Sequence, residues 1–483
     1  MLGGMAHEFR PVSRDELMLL PPDLREWLPE GHLAWLVLEV VEELDLSEFE
    51  RAYRRGGAGR AAYDPRMLVA LVVYAYCAGI RSARAIEAAC VTDVACRVVA
   101  GQSRPDHATI ARFRAVHAAA LAGLFGQVLE ACANAGLGRV GVVSIDGTKI
   151  AAMASPRANR DAERFRKMAE EILAEAEAVD AAEDEEFGDR SGNELSEEFA
   201  PGPGRRARIR AMLDALDAER KEQQAERIAA DLAAAEKALA GRERRLANLR
   251  AAALARHERR VGRSSRVPVE DQKCVREARE AAETARTAVE AARSGKGPKA
   301  AATPERKVNL TDPDSRIMRA ANKGFIQGYN AQIAVSDDHL ILAADVLTDA
   351  NDTAAFVPMM HAAVAAVSAH LPQNTMIGVV LADAGYCTED ALTAEGPDRL
   401  IATARDPGKP AKDPNRAAMA ARLAEGTPGR ATYKRRGATV EPVIGHLKER
   451  LGMTRFSRRG LQAARHELAL VALCHNIRRL ATV

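Results

Sequence analysis

Hydrophobic residues recur at helical spacing through the first 135 residues of the chain. An amphipathic stretch covers 33–46, and Asp64 followed by Pro65 is typical of a helix N-cap with proline in the first turn. Three shorter helices are predicted after it, over 82–90, 92–99 and 109–124. Short helices joined by tight turns are compatible with a helix-turn-helix DNA binder and equally with a plain helical packing domain.

Buried strands are indicated farther along by nearly continuous runs of β-branched residues. The first covers 139–146 and closes in an acid followed by glycine. The later predicted elements are the hairpin strands 328–335 and 339–346, a helix over 349–370, the strand 376–383, a short helix over 388–393, the strand 400–404 and final helices over 442–451 and 461–480. This order predicts a mixed α/β sheet interrupted by helices.

The stretch from Ser155 to about Pro304 differs in composition from both flanks, because Ala, Glu and Arg dominate it. Between Ile228 and Leu249 apolar residues recur at spacings that alternate between four and three residues, with one charged residue, Arg242, in the series. This pattern indicates the seam of a coiled coil or helical hairpin. The segment 201–204, Pro-Gly-Pro-Gly, is expected to break it into two arms, and the acidic run near 182–186 to be a solvated face or loop. We interpret the whole stretch as an insertion.

Length and composition indicate several folded units with real cores. A chain of 483 residues exceeds one ordinary domain, and its 47% hydrophobic and 28% charged residues exclude wholesale disorder. The net charge is only +2, yet residues 430–483 hold 12 Lys and Arg against 3 acids, a net +9 that leaves −7 for the rest. A basic segment on a mildly acidic body favours a polyanionic partner.

The cysteines and the apolar runs of the sequence indicate the cellular compartment in which the protein is expected. The seven cysteines are odd in number and scattered without a CxxC pair, which argues against a disulfide framework and a zinc site and fits a reducing cytoplasm. The N-terminal sequence has no secretory pattern, and the longest apolar run, 67–80, is 14 residues long. A membrane span needs about 20 residues. We therefore expect a soluble intracellular protein.

Three acids are candidates for a metal site. Asp146 and Asp383 end predicted buried strands, where an unpaired carboxylate is costly, although a capping role at the turn explains either one alone. Glu441 precedes Pro442, which suits the first turn of a helix, and Lys448 shares its face about 10 Å farther along. Oxygen ligands without a Cys or His cluster favour Mg²⁺ or Mn²⁺. Two such ions can activate an oxygen nucleophile and stabilise the leaving oxygen of a phosphodiester.

Four blocks of sequence carry a resemblance to a known family. They read SIDGTK over 144–149, GFIQGYNAQ over 324–332, LADAGY over 381–386 and YKRRGATVEP over 433–442. Further blocks that add to it are Asp64-Pro65, 106–114, 458–460 and His475-Asn476. Together they span nearly the whole chain outside the insertion, and in this order the sequence resembles the bacterial insertion-sequence DDE transposases.

The resemblance implies an α/β fold, a ribonuclease-H-like mixed sheet with an all-helical N-terminal domain and a helical or coiled-coil insertion. It implies a catalytic triad that also holds two Mg²⁺ (or Mn²⁺) ions, on Asp146, Asp383 and Glu441. The corresponding boundaries are 1–135 for a DNA-binding helical domain, 136–155 for the first core strand, 156–304 for the insertion, and 305–483 for the rest of the core with its basic C-terminal helices.

A helix motif of Tyr, Arg, Glu and Lys is also implied, and it maps to Tyr433, Arg436, Glu441 and Lys448. Four residues separate Arg436 from Glu441, whereas the commonest form of the motif has three, so Arg435 is a rival for the arginine position. The residues expected to contact DNA are Tyr433, Arg435, Arg436, Lys448, Arg458 and Arg459. The basic charge of this segment favours phosphate contact over a merely solvated loop.

The function implied is a DNA transposase that cleaves at insertion-sequence ends with metal ions and transfers the freed strand into target DNA. Its partners would be double-stranded DNA, both the terminal inverted repeats and the target, and at least a second copy of the chain, with no membrane. Its location would be the bacterial cytoplasm, on the nucleoid when bound to DNA. Two alternatives remain open, a nuclease of the same core that does not join strands and an inactive transposase-derived DNA-binding protein.

Overall fold

The computed structural model describes residues 23–51, 53, 62–155, 159–161, 203–258, 267–298, 307–309, 311–319, 324–403 and 413–483. The chain forms two compact units, one of Met1–Ala158 with Thr311–Val483 and the other of Asn159–Leu310. The acidic run 182–186 and the first two residues of the segment 201–204 lie outside the described residues.

The helices before the first strand are short and closely capped. In the described part of the chain they are α1 (Leu33–Glu43), α2 (Ser47–Arg51), α3 (Pro65–Cys77), α4 (Ala83–Thr92), α5 (Val94–Val99), α6 (His107–Val116) and α7 (Ala118–Asn134). The predicted start of α3 is confirmed, because the Asp64 carboxylate accepts a hydrogen bond from the Arg66 amide at 2.8 Å and Pro65 occupies the first turn. Asp106 caps α6 in the same way through the Thr109 amide, at 2.7 Å.

The predicted single helix over 109–124 is wrong, because the chain breaks at His117. α6 and α7 meet there with a bend of 72°. The His117 backbone leaves the helical region at φ −99° and ψ 23°, and its buried ring packs against Phe113 and Phe49 with centroids 4.8 and 5.2 Å apart. Aromatic packing around one residue thus outweighs the helical propensity of the alanine-rich sequence on either side.

Six described strands form a mixed sheet in the first unit. The strands in chain order are β1 (Val142–Ala151), β2 (Asn159–Asp161), β3 (Lys307–Asn309), β4 (Arg316–Arg319), β5 (Phe325–Ser336), β6 (Ile341–Leu347), β7 (Val379–Ala382) and β8 (Asp398–Ile401), of which β2 and β3 pair separately in the second unit. The sheet order is β4-β5-β1-β7-β8, with β6 also beside β5. β1 runs antiparallel to β5 and parallel to β7, and β8 runs parallel to β7.

The first predicted strand is shifted toward the C-terminus. β1 continues through Ala151, so Asp146 lies inside the strand, opposite Ile333 of β5, and does not end it. Gly147 and Lys149 interrupt the apolar run, but the ladder continues because each of them pairs with a residue of β5. Asp383, by contrast, directly follows the last residue of β7.

The helices of the second half surround this sheet. They are α10 (Phe356–His370), α11 (Glu389–Thr393), α12 (Pro414–Arg422), α13 (Pro428–Tyr433), α14 (Arg435–Glu449) and α15 (Leu461–Leu480). The prediction that Pro442 opens a helix is wrong, since α14 begins at Arg435 and carries Pro442 in its interior. α15 matches its predicted bounds, is buried along most of its length and packs against α7, α3 and β6, which joins the N-terminal helices to the sheet.

The second unit contains a pair of antiparallel helices, α8 (Pro203–Glu258) and α9 (Lys273–Arg293). The residues from Ile228 to Leu249 that form the predicted seam are partly buried except at Arg242, and α9 packs along α8 with small buried residues such as Ala282. Ion pairs link Glu236 to Arg293 at 3.4 Å and Glu243 to Arg286 at 2.8 Å. The apolar seam is therefore covered by a helix of the same chain.

The two ends of the insertion are tied together within the first unit. The Ser155 amide donates a hydrogen bond to the Thr311 hydroxyl at 3.0 Å. The chain therefore leaves the sheet domain and returns to it at adjacent points.

Among the described helices, none alone is long and apolar enough to cross a membrane. The consecutive helices α6 and α7 meet the length and composition requirement only when taken together.

The close approach of β5 to β1 predicts a specific intolerance at Gly328. A Cβ at Gly328 would lie 2.3 Å from the Ile150 carbonyl oxygen, whereas a Cβ at Gly123, on an exposed face of α7, would meet nothing within 4 Å. We expect Gly328→Ala to destabilise the fold by about 1–3 kcal/mol. Gly123→Ala is the matched control and is expected to stabilise it by about 0.5–1 kcal/mol. Urea unfolding followed by circular dichroism measures both, and equal midpoints for Gly328→Ala and the wild type would contradict the packing described.

Candidate active site

Adjacent parallel strands place Asp146 and Asp383 at one edge of the sheet. Ser144 of β1 lies opposite Leu381 of β7, and each aspartate lies two residues beyond this pair. The register of two strands that are more than two hundred residues apart in sequence therefore brings the carboxylates together. The negative charge of Asp383 adds to the rise in the pKa of Asp146, as expected of carboxylates at the same edge.

Asp146 is held on both carboxylate oxygens. Oδ1 accepts a hydrogen bond from the Gly147 amide at 2.8 Å, and Oδ2 accepts one from Arg436 Nη1 at 2.9 Å. Both charged side chains are only 18% exposed. Burial raises the pKa of the Asp146 carboxyl, Arg436 opposes that rise, and the negative charge of Asp383 adds to it. Arg436 therefore favours the ionised form of this buried carboxylate.

Asp383 begins a short 3₁₀ turn that buries Tyr386. Its Oδ1 accepts a hydrogen bond from the Gly385 amide at 2.7 Å. The Tyr386 ring is fully buried against Phe356, with centroids 6.4 Å apart, and its hydroxyl donates to Gln332 Oε1. The pKa of Tyr386 is raised first by burial and then by three carboxylates, those of Asp352, Asp146 and Asp383. Tyr386 is thus a core residue that supports the end of β7.

The two candidate arginines have different partners. Arg436 contacts Asp146, and the phenol of Tyr433, whose pKa is raised by burial, lies beside the same guanidinium. Arg435 is exposed and pairs instead with Asp337 in the β5–β6 turn, at 2.5 Å. Of the two rivals, the structure places Arg436 at the aspartate pair.

Glu441 lies on the exposed surface of α14. Its carboxylate folds back toward the preceding turn, so that a Cβ at Gly437 would lie 3.1 Å from Glu441 Oε1. Within the described ranges, no three Asp, Glu, His or Cys side chains lie close enough together to hold a metal ion. The structure thus brings Asp146 and Asp383 together and does not bring Glu441 into a shared coordination site with them.

α14 passes through Pro442 without leaving the carbonyl four residues earlier unbonded. Proline has no N–H, so the carbonyl four residues earlier, on Ala438, lacks its helical donor. His339 Nε2 donates to that oxygen at 3.1 Å, from a turn residue with φ +66°. The carbonyl of His339 in turn accepts from His475 Nε2 at 2.8 Å, which links the β5–β6 turn to α15. One hairpin turn therefore fixes the helix on which Glu441 is carried.

The remaining residues expected to bind DNA differ in whether their side chains already bond other parts of the protein. Lys448 is half-buried, forms no ion pair with any described residue, and has its pKa lowered by burial. Arg458 donates to the Arg114 carbonyl at 3.4 Å, and Arg459 donates to the Met153 carbonyl at 3.2 Å. A desolvated cation without a counter-ion is suited to an incoming anion, so of the three side chains Lys448 is the one whose surroundings best fit a phosphate contact.

The chemistry of the aspartate pair fits a hard divalent cation. Asp146 and Asp383 offer carboxylate oxygens at one sheet edge, and such oxygens are the ligands that hard divalent cations prefer. Burial raises the pKa of Asp146, and a bound cation would favour the ionised form just as Arg436 now does. The residues present therefore suit Mg²⁺ or Mn²⁺.

The sheet order and the neighbouring aspartates on its two central parallel strands define a ribonuclease-H-like nucleic-acid enzyme. Residues 303–477 match the family model described as Transposase DDE domain, and residues 22–116 match the one described as Transposase domain (DUF772). The chain belongs to the DDE transposases of insertion sequences. No curated protein and no solved structure matches it.

Two further residues beside the site are not predicted as site residues from the sequence. Asp352 falls within the predicted helix over 349–370, and His339 is the first residue of the predicted hairpin strand 339–346. Asp352 lies in the loop before α10, within reach of Lys149, and His339 bonds α14. The only sequence signals were an acid before a helix and a proline whose freed carbonyl had to find a donor.

The bond to Ala438 predicts that His339 stabilises α14 through its side-chain donor. We expect His339→Ala to lower the free energy of unfolding by about 1 kcal/mol and to speed amide exchange in the turn after Pro442. His339→Gln, which keeps an N–H donor, is the matched control and should lose less. Unfolding curves and hydrogen exchange measure these effects, and equal exchange in all three proteins would reject the role given to His339.

Proposed function

We propose that this transposase cuts DNA at the ends of its insertion sequence and joins the freed strand to target DNA. The single observation that carries the proposal is the aspartate pair on β1 and β7 with Arg436 bonded to Asp146. Two carboxylates and a guanidinium at one edge suit a phosphodiester held next to divalent ions.

Asp146 and Asp383 would hold the ion, Mg²⁺ or Mn²⁺, and Glu441 would complete the set in the DNA-bound protein. When bound, such ions lower the pKa of the attacking group and stabilise charge on the leaving oxygen. Arg436 would leave Asp146 and bind a non-bridging oxygen of the reacting phosphate. Lys448, which no described acid neutralises, would bind the neighbouring phosphate.

The reaction has two displacements at phosphorus. In the first, water attacks at the element end, the bond to the 3′ oxygen breaks, and a 3′-hydroxyl is released. In the second, that hydroxyl attacks a target phosphate, a new bond forms, and the target's own 3′ oxygen leaves with a proton. Both steps need the same orientation of the attacking and leaving groups, which one site on a rigid sheet can provide.

DNA binding would be shared by the two ends of the chain. The net charge of +9 over residues 430–483 supplies non-specific attraction to phosphates. The capped helices of residues 62–134 would recognise the terminal repeats, and the protein would act on DNA in the bacterial cytoplasm. Joining two ends needs at least two copies of the chain.

Removal of Asp383 should abolish catalysis and spare DNA binding. We expect Asp383→Asn to slow cleavage of a labelled duplex carrying the element end by more than about 100-fold, because a cation ligand is lost. Asp398→Asn, at the opposite edge of the sheet, is the matched control and should cleave normally. A joining assay with the same oligonucleotide separates a transposase from a nuclease. Unchanged cleavage by Asp383→Asn would reject the site.

Lys448 should contribute one phosphate contact. We expect Lys448→Ala to weaken binding to all duplexes alike and to reduce the slope of log K against log salt concentration by about 0.9. Lys273→Ala, at an exposed lysine of α9 that lies 3.9 Å from Glu277, is the control and should leave the slope unchanged. Fluorescence anisotropy across a salt series measures the slopes, and identical slopes for Lys448→Ala and the wild type would contradict the contact.

A further inference from the structure

A further carboxylate lies beside the aspartate pair, in the loop between β6 and α10. Asp352 is 26% exposed, and it is placed there by the turn that begins α10, where the Ala355 amide donates to its carbonyl at 3.0 Å. It is neither part of the predicted triad nor part of the Tyr, Arg, Glu, Lys motif. Its surroundings connect it to both aspartates.

One oxygen of Asp352 is fixed by three donors from two strands. Oδ1 accepts from Asn330 Nδ2 at 2.7 Å, from Gln332 Nε2 at 2.8 Å and from Lys149 Nζ at 3.2 Å. Asn330 and Gln332 lie opposite Lys149 and Gly147 in the β1–β5 ladder. Oδ1 is thus saturated, and the orientation of the carboxylate is set by the sheet itself.

The other oxygen faces the loop that carries Asp383. No described residue donates a hydrogen bond to Oδ2, and a Cβ at Gly385 would lie 3.7 Å from it and 3.0 Å from Asp383 Oδ1. A Cβ at Gly147, the residue after Asp146, would lie 2.9 Å from Asp352 Oδ1. Two glycines, Gly147 directly after Asp146 and Gly385 two residues after Asp383, therefore leave the space in which Asp352 approaches the two aspartates.

The network closes through Tyr386. Its hydroxyl donates to Gln332, whose amide bonds Asp352, so the buried phenol connects the loop of Asp383 to the loop of Asp352. The negative charges of Asp352, Asp146 and Asp383 all act on this phenol. Three carboxylates therefore surround one side chain, although no described trio is close enough to ligate an ion in this conformation.

We propose that Asp352 is a further metal-holding carboxylate of the active site, which contributes Oδ2 to the divalent cation held by Asp146 and Asp383. This inference rests on the proposed function. A carboxylate oxygen is the ligand that Mg²⁺ and Mn²⁺ prefer, and Oδ2 is left for an ion because Lys149 and the two amides all bond Oδ1. Asp352 acts from the side of the sheet where α10 packs, and Arg436 acts from α14.

The test measures Mn²⁺ binding to the full chain without DNA. Isothermal titration with Mn²⁺ would compare the wild type with Asp352→Asn, Asp383→Asn and Asp398→Asn. We expect Asp352→Asn and Asp383→Asn each to weaken Mn²⁺ binding by about 10–100-fold, and the control Asp398→Asn to match the wild type. Thermal unfolding with a chelator and with Mn²⁺ separates folding from binding, because only loss of the Mn²⁺-dependent rise in Tm reports a lost ligand.

Each outcome is decisive. If Asp383→Asn loses Mn²⁺ while Asp352→Asn binds it as the wild type does, Asp352 is not a ligand and the proposed function is unharmed. If the wild type itself binds no Mn²⁺, both proposals are overturned. If Asp352→Asn melts lower in chelator but keeps the full Mn²⁺-dependent rise in Tm, its role is only structural. If that rise is lost, the assignment holds.

Discussion

The pairing of Arg436 with Asp146 is the constraint around which the rest of this site is arranged. It joins positions 290 residues apart, and neither partner is solvent-exposed enough to do without the other. β1 fixes the carboxylate, and α14 must therefore approach the sheet with its first turn. In the proposed function the same guanidinium also binds the reacting phosphate, so neutralising the carboxylate and binding the substrate would draw on one cation.

The position of α14 depends on a second interaction, the hydrogen bond from His339 to the Ala438 carbonyl, which has no helical donor because residue 442 is proline. The proline makes the helix dependent on the β5–β6 turn, and that turn is bonded in its own right to His475 of α15. The buried α15 thus helps to position the helix that carries Glu441 through the β5–β6 turn, without contacting Glu441 itself. Tertiary bonds, more than local propensity, set where the exposed carboxylate lies relative to the aspartate pair.

The sequence predicts what is local and misses what depends on distant partners. The strand before Asp383, the Asp64-Pro65 cap and the bounds of α15 follow from apolar periodicity and capping chemistry. The break at His117 does not, because it depends on packing against an aromatic ring sixty-eight residues away. The contribution of Asp352 is equally invisible, since its donors come from strands that only the folded register places beside it.

The bond between Ser155 and Thr311 has a consequence for how such a chain can evolve. The chain leaves the sheet domain and re-enters it at one hydrogen-bonded point, so the segment between the two residues is a self-contained insertion. Lengthening, trimming or exchanging it need not disturb the ladder of β1 and β5, whose register is set elsewhere. The insertion can therefore vary among descendants of this chain while the sheet that carries Asp146 and Asp383 is kept.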